Sequence, residues 1–321
     1  MHFAGGGWLR IVAAVLALSG IGLNGSLSRA SDAGPLIVAG RHNVLEVGPI
    51  LFAAERLGAG DVVYKSGSVN NLYAKGNDIA DVAGNAETQA LRMSLEQPDL
   101  RIVFTIAEGL YRIVARRSAG IATVADLRGK RIGTPAQTSA AYYLFKMLAV
   151  AGLSEADVTI VPLSPVGMAS AIIDRKVDAI SIWEPESERA MSVLGADAID
   201  FQYPKVYREI YNLNTTAAAL ADPVRRAKIV TFVRALIEAA RISEKEPERI
   251  WPLLAKSSGF DAKLIADSWH HHRFPARLAP DLLDVMEQQE KWLAADAKRT
   301  ARNREELAKL IDTSVLDEAL R

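Results

Sequence analysis

The chain has 321 residues, half of them hydrophobic, and its 38 basic and 38 acidic side chains balance to a formal net charge of zero. This balance argues against nucleic acid as a partner, because phosphate neutralisation requires clustered positive charge. The absence of cysteine excludes disulfides, thiolate catalysis, cysteine zinc sites and lipid attachment through an N-terminal cysteine. The length allows one or two sizeable hydrophobic cores.

The first thirty residues have the pattern of a secretory signal. Arg10 precedes an apolar run over 11–23, and a small polar segment ending in Ala30 follows. This run is too short to span a bilayer comfortably, and its flanks suit cleavage after Ala30. We therefore expect residues 1–30 to be a signal peptide and the mature protein to lie in the periplasm. A retained membrane anchor is the alternative.

Residues 36–182 alternate between short apolar segments, which predict strands, and helical patterns. Such alternation predicts mostly parallel sheets with helices on both faces. The predicted strands are 36–39, 61–64, 79–82, 101–107, 111–116, 130–133, 158–161 and 177–182, and the predicted helices are 47–57, 70–75, 87–93, 138–152 and 166–173.

The unit from Leu127 to Gly152 consists of a turn, a strand, a polar loop and a helix. Thr138 and Ser139 stand where the helix begins, and a hydroxyl there can accept hydrogen bonds from the first-turn amides. Gly152 stands just past its end, where glycine commonly terminates helices. A polar loop and an exposed helix N-terminus form a compact anion-binding corner. An ordinary βα unit is the alternative.

A helical region follows residue 211, with predicted helices at 223–240, 247–256, 262–269, 280–294 and 303–310. We expect this tail to pack back on the first of two α/β lobes. The predicted domains are 31–106 for the first part of lobe 1, 107–202 for lobe 2, and 203–321 for the return to lobe 1. Two strand crossings, near 104–107 and 200–203, would form the hinge, with a ligand between the lobes.

No pattern for a catalytic centre is found: there is no nucleophile elbow, Walker loop, HExxH pair or dinucleotide fingerprint. The histidine run 270–272 is a weak metal candidate, because consecutive helical side chains point about 100° apart. We interpret it as a surface or interface patch. We expect no enzyme activity, no metal and no cofactor.

Ligands of open α/β sheets bind beyond the carboxyl ends of the strands. The loops at these ends carry mainly hydroxyls and amides, and Arg41 could pair with a carboxylate or sulfonate. His42 could equally be a loop residue without a ligand, and Trp183 could be a core residue. The candidate ligand-binding residues are Arg41, His42, Asn43, Ser66, Ser68, Asn85, Ala86, Gln137, Thr138, Ser139, Trp183 and Glu184.

The charge of the ligand stays open at this point. Glu184 and Glu87 favour an amine or a protonated heterocycle as readily as Arg41 favours an anion.

Residues 124–133, VADLRGKRIG, resemble the "DLkGKkIg" segment of periplasmic solute-binding proteins. The similarity continues at 151–153, 157–158, 176–179 and 183–185, and it covers most of residues 35–300. The group it resembles joins aliphatic-sulfonate, taurine and nitrate binding proteins (SsuA, TauA, NrtA) with NMT1/THI5-like proteins. Two departures are the first loop, 41–49, which lacks the usual aromatic-rich segment, and Lys176, which replaces a glycine.

The resemblance implies a type 2 periplasmic-binding-protein fold and a receptor of an ABC importer. Such a receptor captures a small molecule between two lobes and delivers it transiently to an inner-membrane permease; a monomer is expected. The ligand must touch both lobes to favour closure, which points to Ser68 and Asn85 facing Thr138 and Ser139. Because the first loop departs from the family pattern, the ligand is not named: sulfonate, taurine, nitrate and pyrimidine types all remain.

Two alternatives are an exported enzyme of the same fold and a partner of a membrane sensor. Pyrimidine-precursor synthases of the yeast type carry a cysteine-rich iron-binding motif, which this chain lacks. The leader argues against these and against the related menaquinone-pathway enzymes, which are cytoplasmic. Nothing in the sequence separates sensing from transport.

Overall fold

The computed structural model describes residues 34–58 and 60–321; the predicted signal peptide lies outside them. Eleven strands in this part of the chain form two sheets. In chain order they are β1 (Leu36–Gly40), β2 (Val62–Ser66), β3 (Val82–Ala86), β4 (Leu100–Gly109), β5 (Arg112–Arg116), β6 (Arg131–Thr134), β7 (Thr159–Pro162), β8 (Ala179–Ile182), β9 (Ala198–Phe201), β10 (Glu209–Thr216) and β11 (His272–Arg273).

Helices cover both sheets and make up most of the C-terminal third. They are α1 (Gly48–Leu57), α2 (Glu87–Met93), α3 (Ser139–Val150), α4 (Met168–Ile173), α5 (Glu186–Leu194), α6 (Ala217–Ala221), α7 (Pro223–Lys245), α8 (Trp251–Ser258), α9 (Ala262–Trp269), α10 (Leu282–Asp296), α11 (Arg304–Ala308) and α12 (Ser314–Ala319). Within the described ranges, no helix combines the length and apolarity that a bilayer span requires.

Each sheet contains a set of parallel strands and an internal strand, β10 or β5, that is antiparallel to both of its neighbours; in the first sheet the edge strand β11 is also antiparallel to β4. The first sheet has the order β11-β4-β10-β3-β1-β2, and β10 is antiparallel to both β3 and β4. The second has the order β7-β6-β8-β5-β9, and β5 is antiparallel to both β8 and β9. The predicted α/β class with two lobes is confirmed. We call the first sheet with its helices lobe 1 and the second lobe 2.

Strands β5 and β10 are the first strands that the chain forms after each crossing from the other lobe. The chain leaves lobe 1 after β4, which continues to Gly109 because Gly109 pairs with Glu209 of β10. The first crossing is therefore at 110–111, a few residues later than predicted, and the return occupies 202–208. The division of the chain into domains at 106 and 202 stays a prediction.

The helical tail packs on lobe 1, as expected. Helix α7 places Phe232 and Leu236 in one hydrophobic core with Leu36 and Ile50. Its N-cap residue is Asp222, whose carboxylate accepts from two first-turn amides. Helix α10 also reaches lobe 2, since the Trp292 ring lies 5.3 Å from that of Tyr142. The C-terminal helical tail therefore contacts both lobes.

Two residues of the histidine run, which the sequence predicts to be a surface or interface patch, do not lie at the surface. His271 and His272 are each only 6% exposed, and His272 begins β11, which pairs with the end of β4. A strand at that position turns alternate side chains inward, which the helical interpretation of the run did not anticipate. The described residues contain no group of three or more histidine, aspartate or glutamate side chains that could hold a metal ion.

Candidate functional site

A cavity of about 210 Å³ lies between the two lobes, at the carboxyl ends of the parallel strands. Sites for drug-sized ligands occupy roughly 300–1,000 Å³, so this cavity suits a much smaller molecule. Its lining residues are Arg41, Val44, Glu46, Ser68, Asn70, Asn85, Ala86, Gln89, Arg92, Thr138, Ser139, Trp183, Glu209 and Tyr211.

Seven of the twelve predicted site residues line this cavity. They come from both lobes and are Arg41, Ser68, Asn85, Ala86, Thr138, Ser139 and Trp183. Each follows the carboxyl end of a parallel strand or, for Asn85 and Ala86, forms that end. Their role in binding remains a prediction, but the structure does bring them together.

The other five predicted residues lie outside the lining. The exposed imidazole of His42 has its Nδ1 2.6 Å from the Ser66 hydroxyl, so these two side chains pair with each other. Asn43 precedes the lining residue Val44 without joining it. Gln137 adopts a positive φ of 55°, and its carbonyl accepts from Arg92 Nη1 of lobe 1 at 3.3 Å. Gln137 thus connects the lobes near the cavity instead of forming its wall.

Glu184 does not face the cavity because lobe 2 uses it internally. It is 2% exposed, and Arg112 Nη2 lies 2.6 Å from its Oε1. Arg112 also contacts Glu188 at 2.9 Å and Asp200 at 3.4 Å. The Glu184 carboxylate is paired with Arg112 inside lobe 2 and is therefore not available to a ligand. The sequence placed Glu184 in the site because it follows Trp183 at a strand end.

The N-terminus of α3 is the main contribution of lobe 2. The expected hydroxyl cap is wrong: the Thr138 side chain donates to the Pro135 carbonyl at 2.7 Å, and no side chain caps the helix. The first helical bond runs from the Tyr142 amide to the Thr138 carbonyl. The amides of residues 139–141 therefore precede the bonded turns, and the helix dipole adds partial positive charge there. This end is suited to an oxyanion.

Ser139 is fixed at this corner by a neighbour from the hinge. Its hydroxyl lies 2.9 Å from that of Tyr111, and both residues are buried. Tyr111 immediately precedes β5, and its ring also lies 6.3 Å from that of Trp183. The Tyr111 side chain therefore contacts two residues of the cavity lining, Ser139 and Trp183.

Two pairs of lining residues were missed by the sequence analysis. Gln89 and Arg92 lie three positions apart on α2, so they share one helix face; this spacing was a usable signal. Glu209 and Tyr211 lie two positions apart on β10 and share one strand face. Because β10 is reversed, its amino end lies where the neighbouring strands have their carboxyl ends. A search of strand carboxyl ends cannot find it. Val44, Glu46 and Asn70 were missed as well.

The lobe 1 side of the cavity carries both signs of charge. Arg41 and Arg92 supply positive charge. Below them, His272 Nε2 lies 3.3 Å from Glu46 Oε1. Burial opposes ionisation of Glu46, yet the charge and hydrogen bond of His272 prevail and lower its pKa. Burial likewise opposes charging of His272, and Glu46 raises the pKa of His272.

Glu209 differs from Glu46 in having no cation beside it among the described residues. Burial raises the pKa of Glu209 well above its ordinary value, and the charges of Glu46 and Glu87 add to this effect. Gly109 leaves room for its carboxyl group, since a Cβ at that glycine would lie 2.8 Å from Glu209 Oε2. Burial and the neighbouring carboxylates therefore favour the protonated form of Glu209.

The sequence matches one family model and several curated proteins. Residues 61–250 match the family described as NMT1/THI5 like. A protein of Escherichia coli strain K12 described as an aliphatic sulfonates-binding protein is 29% identical over 173 residues, which are 52% of this chain and 51% of that protein. The match spans about half the length of this relative.

Two solved structures show the range of proteins with this fold. The periplasmic aliphatic sulphonate binding protein SsuA of Escherichia coli has a TM-score of 0.73 and 18% identity, covering 87% of this chain and 92% of that chain. The desulfurization enzyme DSZB, in complex with biphenyl-2-sulfinic acid, has a TM-score of 0.63 and 15% identity, covering 89% of this chain and 98% of that chain. The fold is thus shared by a binding protein and an enzyme.

Proposed function

The chain belongs to the NMT1/THI5-like family, and we propose that it is the solute-binding receptor of an ABC import system. In this proposal it captures a small sulfonate-type anion between its two lobes and delivers it to a membrane permease. The observation that carries the proposal is the small cavity lined from both lobes, with the uncapped N-terminus of α3 on one side and Arg41 on the other.

The arrangement supports an anion with several oxygens. Backbone amides at a helix N-terminus and a guanidinium are the groups that proteins use for carboxylate, sulfonate and phosphate oxygens. Ser68, Asn85 and Ser139 add short polar side chains around the same space. The sulfonate class is supported further by the Escherichia coli relative that is described as binding aliphatic sulfonates.

A ligand in this cavity would contact both lobes and so stabilise the closed form. Only contacts that differ between open and closed forms shift that equilibrium. Protein contacts already join the rims, because Gln89 and Arg92 of lobe 1 both donate to the Gln137 carbonyl. These bonds are 3.4 and 3.3 Å long and exposed, and a ligand that contacts both lobes would add to them.

An enzyme is the second candidate function, because the desulfurization enzyme shares the fold. That enzyme was crystallised in the complex as a cysteine-to-serine variant, and this chain contains no cysteine. The lining of the cavity also lacks the histidine that commonly activates a hydroxyl nucleophile. Both features favour the receptor over the enzyme.

The remaining parts of the proposal follow the family and the leader. We propose that residues 1–30 direct export to the periplasm, that the mature chain is a monomer, and that the permease contact is transient. The lobes would then move as units about the two crossings at 110–111 and 202–208.

A thermal-shift panel of sulfonates, carboxylates, nitrate and pyrimidines tests the proposal, in buffers that contain no sulfonate. A ligand at a hundredfold excess over its dissociation constant stabilises the folded state by about 2.7 kcal/mol. We expect a saturable shift with at least one sulfonate and no turnover. Arg41→Ala should weaken that binding roughly tenfold, as expected for one charge-assisted hydrogen bond. His42→Ala, the adjacent control, should leave it unchanged. Turnover without a saturable shift would overturn the receptor proposal.

A further inference from the structure

We infer that Trp292, a side chain of the helical tail, is a positioning residue for ligand capture. From lobe 1 it packs on α3 of lobe 2, and through α3 it holds residues 138–139 in place across the cavity. The inference rests on the proposed function and adds to it a residue that lies outside the cavity lining. No residue of α10 was a site candidate from the sequence.

Helix α10 presents a different side to each lobe. Met286 and Leu293 are buried in a hydrophobic cluster of lobe 1. Trp292 is half-buried and packs both against this cluster and against the core of lobe 2. Gln288, Trp292 and Asp296 follow one another at intervals of four residues, so they share one side of the helix. The tail helix is therefore built into lobe 1 and carries a second, mixed apolar and polar stripe.

The apolar part of this stripe contacts the first turns of α3. The Trp292 ring lies 5.3 Å from that of Tyr142 and 6.3 Å from that of Phe145. The rings of Tyr142 and Phe145 stack on each other at 6.0 Å. Aromatic pairs at such separations attract each other beyond the effect of the area that they bury. The three rings therefore form one apolar contact between the lobes.

The rim of this contact is polar and open to solvent. Lys146 Nζ donates to Gln288 at 3.1 Å, and Gln137 Nε2 donates to Asp296 at 3.2 Å, both in exposed positions. A cleft of about 470 Å³ remains between Phe145 and α10. Interfaces between parts of one chain that are small and have polar edges permit relative motion, unlike large and sealed hydrophobic ones. The contact is thus suited to forming when the lobes close and parting when they open.

Helix α3 connects this contact to the ligand-binding corner. Tyr142 follows Ser139 by three residues, or roughly 4.5 Å along the helix axis. Both belong to one continuous helix, so a shift of Tyr142 relative to Trp292 also shifts Ser139 relative to the lobe 1 side of the cavity. Trp292 is absent from the cavity lining that the described residues form. It therefore acts on a ligand through α3.

A contact that exists only in the closed form raises the closed fraction of the ligand-free protein. The apparent dissociation constant equals the intrinsic constant divided by the fraction of molecules that can bind. Loss of the Trp292 ring should therefore weaken binding although every side chain of the cavity lining is kept.

The test measures lobe closure and ligand affinity in the mature protein. Trp292→Ala should raise the radius of gyration of the ligand-free protein in small-angle X-ray scattering, and saturating ethanesulfonate should restore the wild-type bound value. Calorimetric titration should show roughly tenfold weaker binding of ethanesulfonate, the scale of two lost aromatic pairs. A panel member that binds in its place serves as the probe. Trp292→Phe keeps a ring at this position and should restore most of the affinity.

Trp251→Ala is the matched control. Trp251 is also half-buried, but it packs in the core of lobe 1, where its ring lies 6.4 Å from that of Trp269. Its loss should leave the scattering and the affinity unchanged, whatever it does to folding stability. Phe145→Ala removes the facing ring of lobe 2 and should act in the same direction as Trp292→Ala. The test therefore does not depend on the folding of one variant.

The outcomes separate the two proposals. Wild-type affinity and an unchanged radius of gyration in folded Trp292→Ala or Phe145→Ala would overturn the positioning role and leave the receptor intact. This holds even if the variant loses unfolding free energy, because that loss alone would show only a structural role. No saturable binding of ethanesulfonate or any other panel member to the wild-type chain would overturn the proposed function, and the positioning role with it.

Discussion

Strands β5 and β10, which each run antiparallel to both neighbours, begin with buried ionisable side chains in opposite electrostatic surroundings. Arg112 begins β5 and meets the carboxylates of Glu184, Glu188 and Asp200. Glu209 begins β10 and meets no cation among the described residues, only further acids and tyrosines. Each strand has crossed from the other lobe and starts at the edge where its neighbours end. The difference shows that a buried side chain with counter-charges stays ionised, whereas a buried carboxyl group without them favours its protonated form.

The largest expected effect is on folding stability and comes from removing Arg112, the buried side chain that has counter-charges. Arg112→Met should destabilise the folded protein by about 3–5 kcal/mol, because it leaves buried carboxylates without their counter-charge. Denaturant unfolding followed by circular dichroism measures the loss. Lys176→Met, which removes an exposed pair with Asp174, is the control and should change stability by less than about 1 kcal/mol. Equally small losses of stability in the two variants would mean that the buried pairing of Arg112 contributes no more than an exposed ion pair.

Glu209, which has no cation beside it among the described residues, should affect how the unfolding free energy depends on pH. The pKa of Glu209 is raised above its ordinary value of 4.5, so the folded state keeps a proton that the unfolded chain releases. The stability from this group is complete below pH 4.5 and is lost as pH rises toward the folded pKa, by up to about 1.4 kcal/mol per pH unit.

Glu209→Gln should remove that decline while keeping the shape of the side chain. Unfolding free energies of wild type and variant, measured from pH 5 to pH 8, should therefore diverge in favour of the variant as pH rises. Parallel curves would mean that Glu209 is ionised and paired in the folded protein.

A smaller effect is expected at the lobe 2 corner, which carries no charged side chain. Replacing Thr138 and Ser139 together by alanine should weaken binding of the sulfonate roughly tenfold through two lost hydrogen bonds. The far-UV circular dichroism should stay unchanged, because neither hydroxyl caps α3. Ser154→Ala, at a loop of the same lobe outside the cavity lining, is the matched control. Unaltered affinity of the double variant would remove this corner from the site.

The lining residues of the two lobes could be predicted from the sequence to different extents. Thr138, Ser139 and Trp183 follow parallel strands, so the rule for strand carboxyl ends found the wall of lobe 2. The same rule found Arg41, Ser68, Asn85 and Ala86 of lobe 1. It also selected Glu184, which lies outside the lining because it is buried against Arg112 of a different strand.

The sequence by itself determined the α/β class, the two lobes, the helical tail and the resemblance to the family. These depend on local periodicity and short motifs, which neighbouring residues specify. The tertiary structure decided which strands reverse, and hence that Glu209 and Tyr211 reach the cavity and that His272 lies buried beside Glu46. Strand direction and charge pairing arise between residues far apart in the chain, so no local pattern encodes them.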